Sequence, residues 1–383
     1  MPVGHLTPRE NRMPSVAIIG TRGYPSYYGG FETAIRKLAP YLVHRGWDVS
    51  VYSRPGEVRL DDPNRDHRVQ TVMTQGLETK SLSTLSYGWS ATRHAIRRSP
   101  DVALVMNVAN GYWLPMLRRA GIPTLVNVDG IEWDRAKWNR IAKRVFRTGA
   151  ELTARHGTML VYDSTEIAKR WHVDFGTGGR YIPYGSEIVD EELPIESGLS
   201  RRAYVLFVAR LVPENTVSEF FSAVPAIAQH AEVVIVGSSG YGGELDERAR
   251  RLSERLERVR WLGHVRDDRR LLSLWHHAGA YFHGHSVGGT NPALVQAMAC
   301  GAPVLARDTP YNREVLGPSG LFVSPSASRI SEEVLRLVGS PDVQRQQAEA
   351  NTLRARTNYS WADVNASYER SLQELCATRR VRS

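Results

Sequence analysis

A glycine-rich turn that leads into a helix is the part of this sequence best suited to binding an anion. Residues 283–301 read HGHSVGGTNPALVQAMACG, with Gly288 and Gly289 shortly before Asn291 and Pro292. Asparagine is a preferred helix N-cap and proline suits the first helical position, so a helix is predicted to begin here. The free N–H groups at a helix N-terminus attract phosphate. The stretch is therefore compatible with an anion site and with an ordinary strand-to-helix turn. Taken by itself, it favours the ordinary turn.

Two aspartates and a tyrosine follow predicted strands and could act on a substrate. Asp129 closes one strand and is followed by a glycine with no helix signal, which favours a functional role. Asp163 closes another strand, but Ser164 comes next, so capping of a helix is an equally good interpretation. Tyr184 stands between a proline and a glycine, where a hydroxyl facing a substrate and a packing role are equally compatible with the sequence.

Further loops could contact a phosphorylated ligand. Arg210 ends a predicted strand, where its two donors could hold a diphosphate, and we favour this over a surface salt bridge because burying its charge without an anion would be costly. Gly29 and Gly30 lie in the loop TRGYPSYYGGFE and permit close backbone approach, although the loop is not the GxGxxG of dinucleotide-binding proteins. His283 and His285 lack a third ligand at metal spacing, so zinc is not expected.

The composition indicates a globular chain with an anionic partner. The 383 residues carry a formal net charge of +9, are 42% hydrophobic and include only two cysteines. These values predict two domains without a disulfide scaffold, in a reducing cytoplasm. We find no signal-peptide pattern and no apolar run long enough to cross a bilayer. Charge alone does not distinguish nucleic acid, nucleotide and acidic lipid as the partner.

The positive charge is concentrated in residues 135–147, where basic residues alternate with Trp138, Ile141, Val145 and Phe146. Such a segment could rest on an anionic membrane surface. It could equally be a solvated helix with its apolar face in the core. The basic residues are Arg135, Lys137, Arg140, Lys143, Arg144 and Arg147.

The hydrophobic pattern predicts two successive series of alternating strands and helices. Strands are predicted at 16–20, 49–52, 102–106, 124–129, 158–162 and 180–182, and then at 204–208, 233–236, 259–262, 279–282, 304–306 and 321–323. Between the two series lies a stretch rich in proline, glycine, serine and acidic residues, which is typical of a linker. This alternation predicts two doubly wound α/β domains whose strand ends share one cleft.

Five motifs taken together resemble retaining nucleotide-sugar glycosyltransferases of the GT-B fold, in family 4 and its rhamnosyltransferase-like branch. They are TRGYPSYYGGFET, DGIEWDRAKW, YIPYG, ARLVPEN and HSVGGTNPALVQAMACG, and the similarity spans about residues 16–375. The resemblance implies two Rossmann-like domains facing across a cleft, at 15–185 and 203–358. The residues themselves predict a disordered leader at 1–14, a linker at 186–202 and an amphipathic C-terminal helix at 359–377, and this helix is expected to return to the first domain.

The resemblance further implies transfer of rhamnose from dTDP-rhamnose to a sugar on a polyprenyl diphosphate, with retention and without a metal or other cofactor. The implied partners are the donor, the lipid-linked acceptor and an anionic membrane surface at the inner face of the plasma membrane, but not nucleic acid. The catalytic candidates are Asp129, Asp163 and Tyr184. The donor-binding candidates are Gly29, Gly30, Arg210, Asn215, Gly263, Ser286, Gly288, Gly289, Thr290, Asn291 and Gln296.

The chain departs from the family pattern at two places. Relatives usually carry a lysine near Asn215, and they carry two glutamates that fall here on Gly288 and Gln296. A glutamine has one acceptor oxygen and no charge for the ribose hydroxyls, so Gln296 suits a deoxyribose donor better than a ribose donor. Two alternatives stay open. One is a transferase with a soluble acceptor, and the other, which the departures at Asn215 and Gln296 motivate, is a catalytically silent nucleotide-sugar-binding protein.

Overall fold

The protein is described from a computed structural model that covers residues 12–27, 29–77, 83–135, 138–240 and 242–382. Most of the predicted leader and Lys137 of the basic segment lie outside these residues. Within them, no helix combines the length and the apolar character needed to cross a bilayer.

The first half of the chain forms a parallel sheet of seven strands, with apolar residues buried on both faces of its centre. The strands are β1 Ser15–Ile19, β2 Asp48–Ser53, β3 Gln70–Met73, β4 Val102–Met106, β5 Thr124–Asn127, β6 Met159–Tyr162 and β7 Arg180–Tyr181. The helices are α1 Gly30–His44, α2 Ser83–Arg98, α3 Leu114–Arg119, α4 Arg140–His156 and α5 Thr165–Phe175. The order β3-β2-β1-β4-β5-β6-β7 is that of a doubly wound sheet. Strand β3 was not predicted, because it is a half-exposed edge strand with a weak apolar signal.

The second half forms a six-stranded parallel sheet from the six strands that the sequence predicts. They are β8 Tyr204–Val208, β9 Glu232–Val236, β10 Val259–Trp261, β11 Ala280–His283, β12 Val304–Arg307 and β13 Leu321–Val323, in the order β10-β9-β8-β11-β12-β13. The helices are α6 Val217–Ile227, α7 Glu244–Arg255, α8 Asp268–His277, α9 Pro292–Ala299, α10 Pro310–Leu316, α11 Ala327–Val338 and α12 Pro341–Asn358. Stacked rings of Phe207, Phe220 and Phe282 fill the core on one face of this sheet.

The last helix, α13 Trp361–Arg382, packs against the first sheet rather than the second. The side-chain amide of Asn127 donates to the hydroxyl of Tyr368 over 2.7 Å. The carboxylate of Glu369 accepts from the Tyr41 hydroxyl over 2.9 Å and lies 3.2 Å from the Arg45 guanidinium. The expected return of the C-terminal helix to the first domain is therefore confirmed.

Each sheet has one point where the strand order reverses, between β1 and β4 and between β8 and β11. Loops at the carboxyl ends of the strands separate at such a point and leave a crevice for a ligand. In the second sheet, Arg210 follows β8 and the glycine-rich turn follows β11. Since β8 and β11 are neighbours, the fold brings these two loops to the same crevice.

Candidate active site

The turn after β11 has the backbone geometry that its sequence predicts. The Oδ1 atom of Asn291 accepts from the backbone N–H of Ala293 over 2.9 Å, and Pro292 occupies the first turn of α9. Gly288 has a φ of +104°, in the left-handed region that glycine adopts without strain. The helix start at Asn291 is therefore confirmed, with glycine backbone leading into it.

The two domains touch across the cleft where this turn meets the first sheet. A Cβ atom added to Gly289 would lie 2.0 Å from Oδ1 of Asp163, and one added to Gly130 would lie 3.1 Å from Cα of Gly288. The hydroxyl of Thr290 donates to the backbone carbonyl of Asp163. The absence of side chains at these glycines is what allows the domains to approach so closely.

The N-termini of α1 and α9 face each other across the same cleft. A Cβ atom added to Gly30, the first residue of α1, would lie 3.2 Å from Cγ of Pro292 and 3.5 Å from the Tyr184 hydroxyl. Gly29 is the N-cap of α1, and its carbonyl accepts from the N–H of Thr33 over 3.0 Å. Two helix N-termini that converge in this way create a positive potential suited to an anion.

Asp129 lies at the end of β5 in an unusual backbone conformation. Its φ is +62°, and its neighbour across the strand ends, Asn107, has a φ of +71°. The Asn107 amide donates to Oδ2 of Asp129 over 3.1 Å, and the Asp129 N–H donates to Oδ1 of Asn127 over 3.0 Å. Backbone strain of this kind persists where the surroundings hold a residue in a required position. The loop therefore fixes the carboxylate of Asp129 at the mouth of the cleft.

Asp163 follows β6, the strand next to β5, and is far more enclosed. It is 4% exposed, and its Oδ1 atom has no hydrogen-bond partner in the described part of the chain. Burial, reinforced by the charge of Asp129, raises the pKa of Asp163 well above its ordinary value. Burial, again with a contribution from Asp129, also raises the pKa of the Tyr184 hydroxyl. Both shifts favour the protonated form of the group.

Arg135 lies inside this cluster, which the sequence did not predict. The pattern of residues 135–147 predicts a segment that rests on an anionic membrane surface or forms a solvated helix, but Arg135 is only 7% exposed. Its Nε atom lies 2.5 Å from Oε1 of Glu132. The two groups form an ion pair, although the N–H bond is not aligned for a hydrogen bond. Its Nη2 atom lies 3.8 Å from the Cβ position of Gly288. The sequence contains one indication of this ion pair, because Glu132 stands three positions before Arg135.

The charge of Arg135 is set by the acids around it. Burial alone would lower its pKa, but the nearby carboxylates raise it above the ordinary value. The largest of these effects comes from Glu132, followed by Asp129 and then by Glu214 of the other domain. Arg135 therefore stays fully charged in a buried position between the domains.

The loops after β8 and β11 are joined through Asn215. Its Nδ2 atom donates to the carbonyl of Arg210 over 2.8 Å, and its Oδ1 atom lies 2.6 Å from Nδ1 of His285. Because an amide oxygen only accepts, Nδ1 of His285 carries the proton. Burial, followed by the charges of neighbouring groups that include Arg135 and Arg210, lowers the pKa of His285 well below its ordinary value. Neutral His285 and Asn215 thus position these loops.

Two details of the second domain differ from the expectations. Arg210 is exposed, so the argument from a buried charge does not apply to it, although its side chain is open to a ligand. Ser286 donates through its N–H and its hydroxyl to the carbonyl of Glu214, over 3.0 and 2.7 Å. Glu214, which the sequence did not indicate, is 6% exposed, and its Oε1 atom has no partner among the described residues.

Gln296 and Gly263 lie apart from this cluster of contacts. The Gln296 amide accepts from the Glu187 N–H over 3.0 Å and donates to the Glu187 carbonyl over 2.8 Å. The Glu187 carboxylate forms an ion pair with Lys37 of α1. Gly263, at a φ of +63°, has no atom within 4 Å of its Cβ position. The structure thus uses one of the two lone pairs of the Gln296 amide oxygen in a contact with the linker.

No group of three His, Cys, Asp or Glu side chains in the described ranges is arranged to hold a metal ion. Nδ1 of His283 lies 3.0 Å from the hydroxyl of Tyr281, so this histidine contacts its own strand.

Two family profiles match the chain in tandem. The family described as "Glycosyl transferase 4-like domain" matches residues 29–185, and the one described as "Glycosyl transferases group 1" matches residues 202–340. Together they take in well over half of the chain, one for each sheet. The chain belongs to the family 4-like glycosyltransferases.

Two curated relatives are mannosyltransferases. The chain is 28% identical over 225 residues to phosphatidyl-myo-inositol mannosyltransferase of Mycobacterium leprae strain TN, covering 56% of this chain and 58% of the relative. It is 27% identical over 170 residues to O-antigen chain mannosyltransferase B of Escherichia coli, covering 43% and 44%. The chain thus spans about half the length of the curated relatives it matches.

Similar solved structures establish the fold as GT-B. Sucrose-phosphate synthase from Thermosynechococcus elongatus superposes with a TM-score of 0.78 at 18% identity, over 95% of this chain and all of the other. Anabaena HepE in complex with UDP and glucose superposes with a TM-score of 0.73 at 15% identity, over 94% and 100%. At such identities the likeness is one of fold.

Proposed function

We propose that this protein transfers a sugar from a nucleotide diphosphate donor to a hydroxyl group of an acceptor. The observation that carries the proposal is the convergence of two helix N-termini and two strand-end carboxyl groups in one cleft between the domains. The first arrangement suits a diphosphate, and the second suits an acceptor hydroxyl. Membership of the glycosyltransferase family and the UDP-bound structure of a similar protein support this assignment.

The donor would bind on the second domain, at the switch point between β8 and β11. Backbone N–H groups from Gly288 to Thr290 and the guanidinium of Arg210 are the groups available for its diphosphate. They would stabilise the charge that develops on the leaving diphosphate as the sugar departs. In this assignment Asn215 positions Arg210 and His285 and has no direct electrostatic role.

The acceptor would bind on the first domain, where Asp129 orients or deprotonates its hydroxyl group. Asp163 and Tyr184 assist through hydrogen bonds, since burial raises the pKa of both groups and so favours the forms that can donate. Proton transfer of this kind contributes about 10²- to 10⁴-fold to a rate. Replacing Asp129 by asparagine, which is similar in size, is therefore expected to reduce turnover by at least ~100-fold.

The experiment is a donor screen followed by variants. The protein is incubated with dTDP-, UDP- and GDP-sugars and an acceptor panel of polyprenyl-diphosphate sugars, free sugars and aglycones, and products are identified by mass spectrometry. Asp134→Asn is the control, since that aspartate is exposed in the same loop. Full turnover by Asp129→Asn would remove Asp129 from the mechanism. Donor binding without transfer to any acceptor would support a silent nucleotide-sugar-binding protein instead.

We propose more specifically that the transferred sugar is rhamnose and that its donor is dTDP-rhamnose. The transfer would need no metal and would retain the configuration at the anomeric carbon. The five sequence motifs support it, whereas the two curated relatives are mannosyltransferases and give no support for rhamnose. A deoxyribose donor also needs fewer hydrogen bonds from Gln296, whose amide oxygen already accepts one from the linker. Clearly tighter binding of UDP than of dTDP in a calorimetric titration would refute the argument from Gln296.

We also propose a lipid-linked acceptor and peripheral association with an anionic membrane. The first turn of α4 presents Ile141, which is 76% exposed, between the exposed residues Arg140 and Arg144. An apolar side chain flanked by cations suits the surface of an acidic bilayer. Co-sedimentation with anionic vesicles, lost on Ile141→Glu and absent with zwitterionic vesicles, is the expected result. Transfer to free sugars but not to lipid diphosphates would favour the soluble acceptor.

A further inference from the structure

The donor loop receives charge from both domains, and the contribution of the first domain comes from Arg135. A nucleoside diphosphate carries more than one negative charge, and each cation close to it in a buried site is worth more than it would be in water. On the second domain, Arg210 is exposed, and the side chain of Asn215 beside it is neutral and contacts Arg210 and His285 through both of its amide atoms. A second cation facing the loop therefore matters for holding this ligand.

Arg135 is placed to be that cation. Its Nη2 atom lies 3.1 Å from the Cβ position of Gly130 and 3.8 Å from that of Gly288, so it faces the donor turn across the domain boundary. In the described part of the chain, its ion pair is made through Nε to Glu132. The Nη atoms at the far end of the guanidinium, which form a planar fork that fits two phosphate oxygens, are therefore directed at the cleft.

We propose that Arg135 binds the diphosphate of the donor together with Arg210, so that the first domain contributes directly to a site otherwise built on the second. This inference rests on the proposed function, because it assigns a further residue to the same donor site.

The surrounding acids do not prevent this role. Glu132 holds the guanidinium from its Nε side, and the Asn107 amide holds Asp129. Asp163 is enclosed enough to favour its neutral acid form. An arginine that is fixed by one carboxylate loses little side-chain entropy when a phosphate arrives.

The position of Arg135 opposite the turn of the other domain links donor binding to domain closure. Arg135 and Gly288 belong to different domains, so a diphosphate that contacts both favours the closed arrangement. A nucleoside monophosphate has fewer phosphate oxygens with which to bridge them. The affinity advantage of a diphosphate over the corresponding monophosphate should therefore depend on Arg135.

The test is calorimetric titration of the full chain with dTDP, UDP and GDP and with the three monophosphates. Arg135→Gln is expected to weaken binding of the preferred diphosphate by about tenfold or more, and that of its monophosphate much less. Arg135→Lys should restore part of the loss, because it keeps the charge but not the fork. Arg119→Gln is the matched control, since that arginine is exposed on α3 of the same domain.

Because Arg135→Gln leaves the buried carboxylate of Glu132 unpaired, the variant Glu132→Gln/Arg135→Gln is measured beside it, with thermal unfolding as a check on folding. Equal diphosphate affinity in wild type and in either folded variant overturns the inference while leaving the proposed function intact. An equal loss for diphosphate and monophosphate also overturns it. If the wild-type protein binds none of the diphosphates, the proposed function itself fails.

Discussion

Replacing Gly289 by alanine tests whether the two domains must close onto each other for activity. The added Cβ atom would lie 2.0 Å from Oδ1 of Asp163, whereas ordinary contacts of a Cβ atom begin at 3.4 Å. The φ of Gly289 lies outside the left-handed region, so alanine can adopt its backbone conformation. The perturbation is therefore a steric one that acts on the contact between the domains.

The size of the effect follows from how enclosed that contact is. Asp163 is 4% exposed and its backbone carbonyl accepts from Thr290, so the carboxyl group has little room to withdraw. Forcing an extra methyl group into a packed contact costs about 1–3 kcal/mol. If this cost falls on the closed arrangement alone, its population relative to the open one drops by about 5- to 150-fold. We expect kcat/KM for sugar transfer to fall by a similar factor.

The assay combines steady-state sugar transfer with the radius of gyration from solution X-ray scattering in the presence of donor. Gly178→Ala is the control, because the Cβ position of Gly178 has no atom within 4 Å. In an Asp163→Ala background, which removes the clashing carboxyl group, Gly289→Ala should no longer change the radius. The reasoning is wrong if Gly289→Ala has the turnover and the radius of gyration of the wild type. It is also wrong if Gly289→Ala changes the radius of gyration as much in the Asp163→Ala background as in the wild type.

Three polar side chains, those of Asp163, Gln296 and Tyr368, are expected to contribute to stability in different ways. The raised pKa of Asp163 means that this carboxyl group binds a proton more tightly in the folded protein than in the unfolded chain, where its pKa is near 3.8. Stability should therefore fall as pH rises above about 4, and Asp163→Asn should remove that slope in thermal unfolding measured between pH 4 and 8. Gln296→Glu loses the donor to the Glu187 carbonyl and should cost about 1 kcal/mol in urea unfolding, so unchanged stability would contradict the linker contact. Tyr368→Phe removes the acceptor of the buried Asn127 Nδ2 group and should cost about 1–3 kcal/mol in the same assay, where a smaller loss would show that this bond contributes little to docking of α13.

The sequence predicts the strands well because the signal for a buried parallel strand is local. Runs such as 102–106 and 204–208 are apolar at every position, as expected when both faces of a strand are covered. The start of α9 is equally local, since the asparagine cap and the proline of the first turn are adjacent in sequence. Strand β3 was missed because an edge strand is half exposed and needs no apolar pattern.

The candidate site could be predicted only in part. Asp129 and Asp163 were identifiable because the position of a residue at the carboxyl end of a parallel strand already places it near the cleft. That Asp163 lies against Gly289 depends on how the two domains meet, and no local pattern encodes this distance. The contact of Gln296 with Glu187 spans 109 positions, and that of Asn215 with His285 spans 70.

What the sequence determined by itself is therefore the set of elements and the chemical types at their ends: two series of parallel strands, a capped helix after a glycine turn, and acids after two neighbouring strands. What the tertiary structure decided is the environment of each charged group. Arg135 illustrates the difference, because a basic segment predicts exposure, whereas the fold buries this residue between Glu132 and the turn of the other domain. Burial and charge balance depend on residues that are distant in the chain, and only the folded protein brings them together.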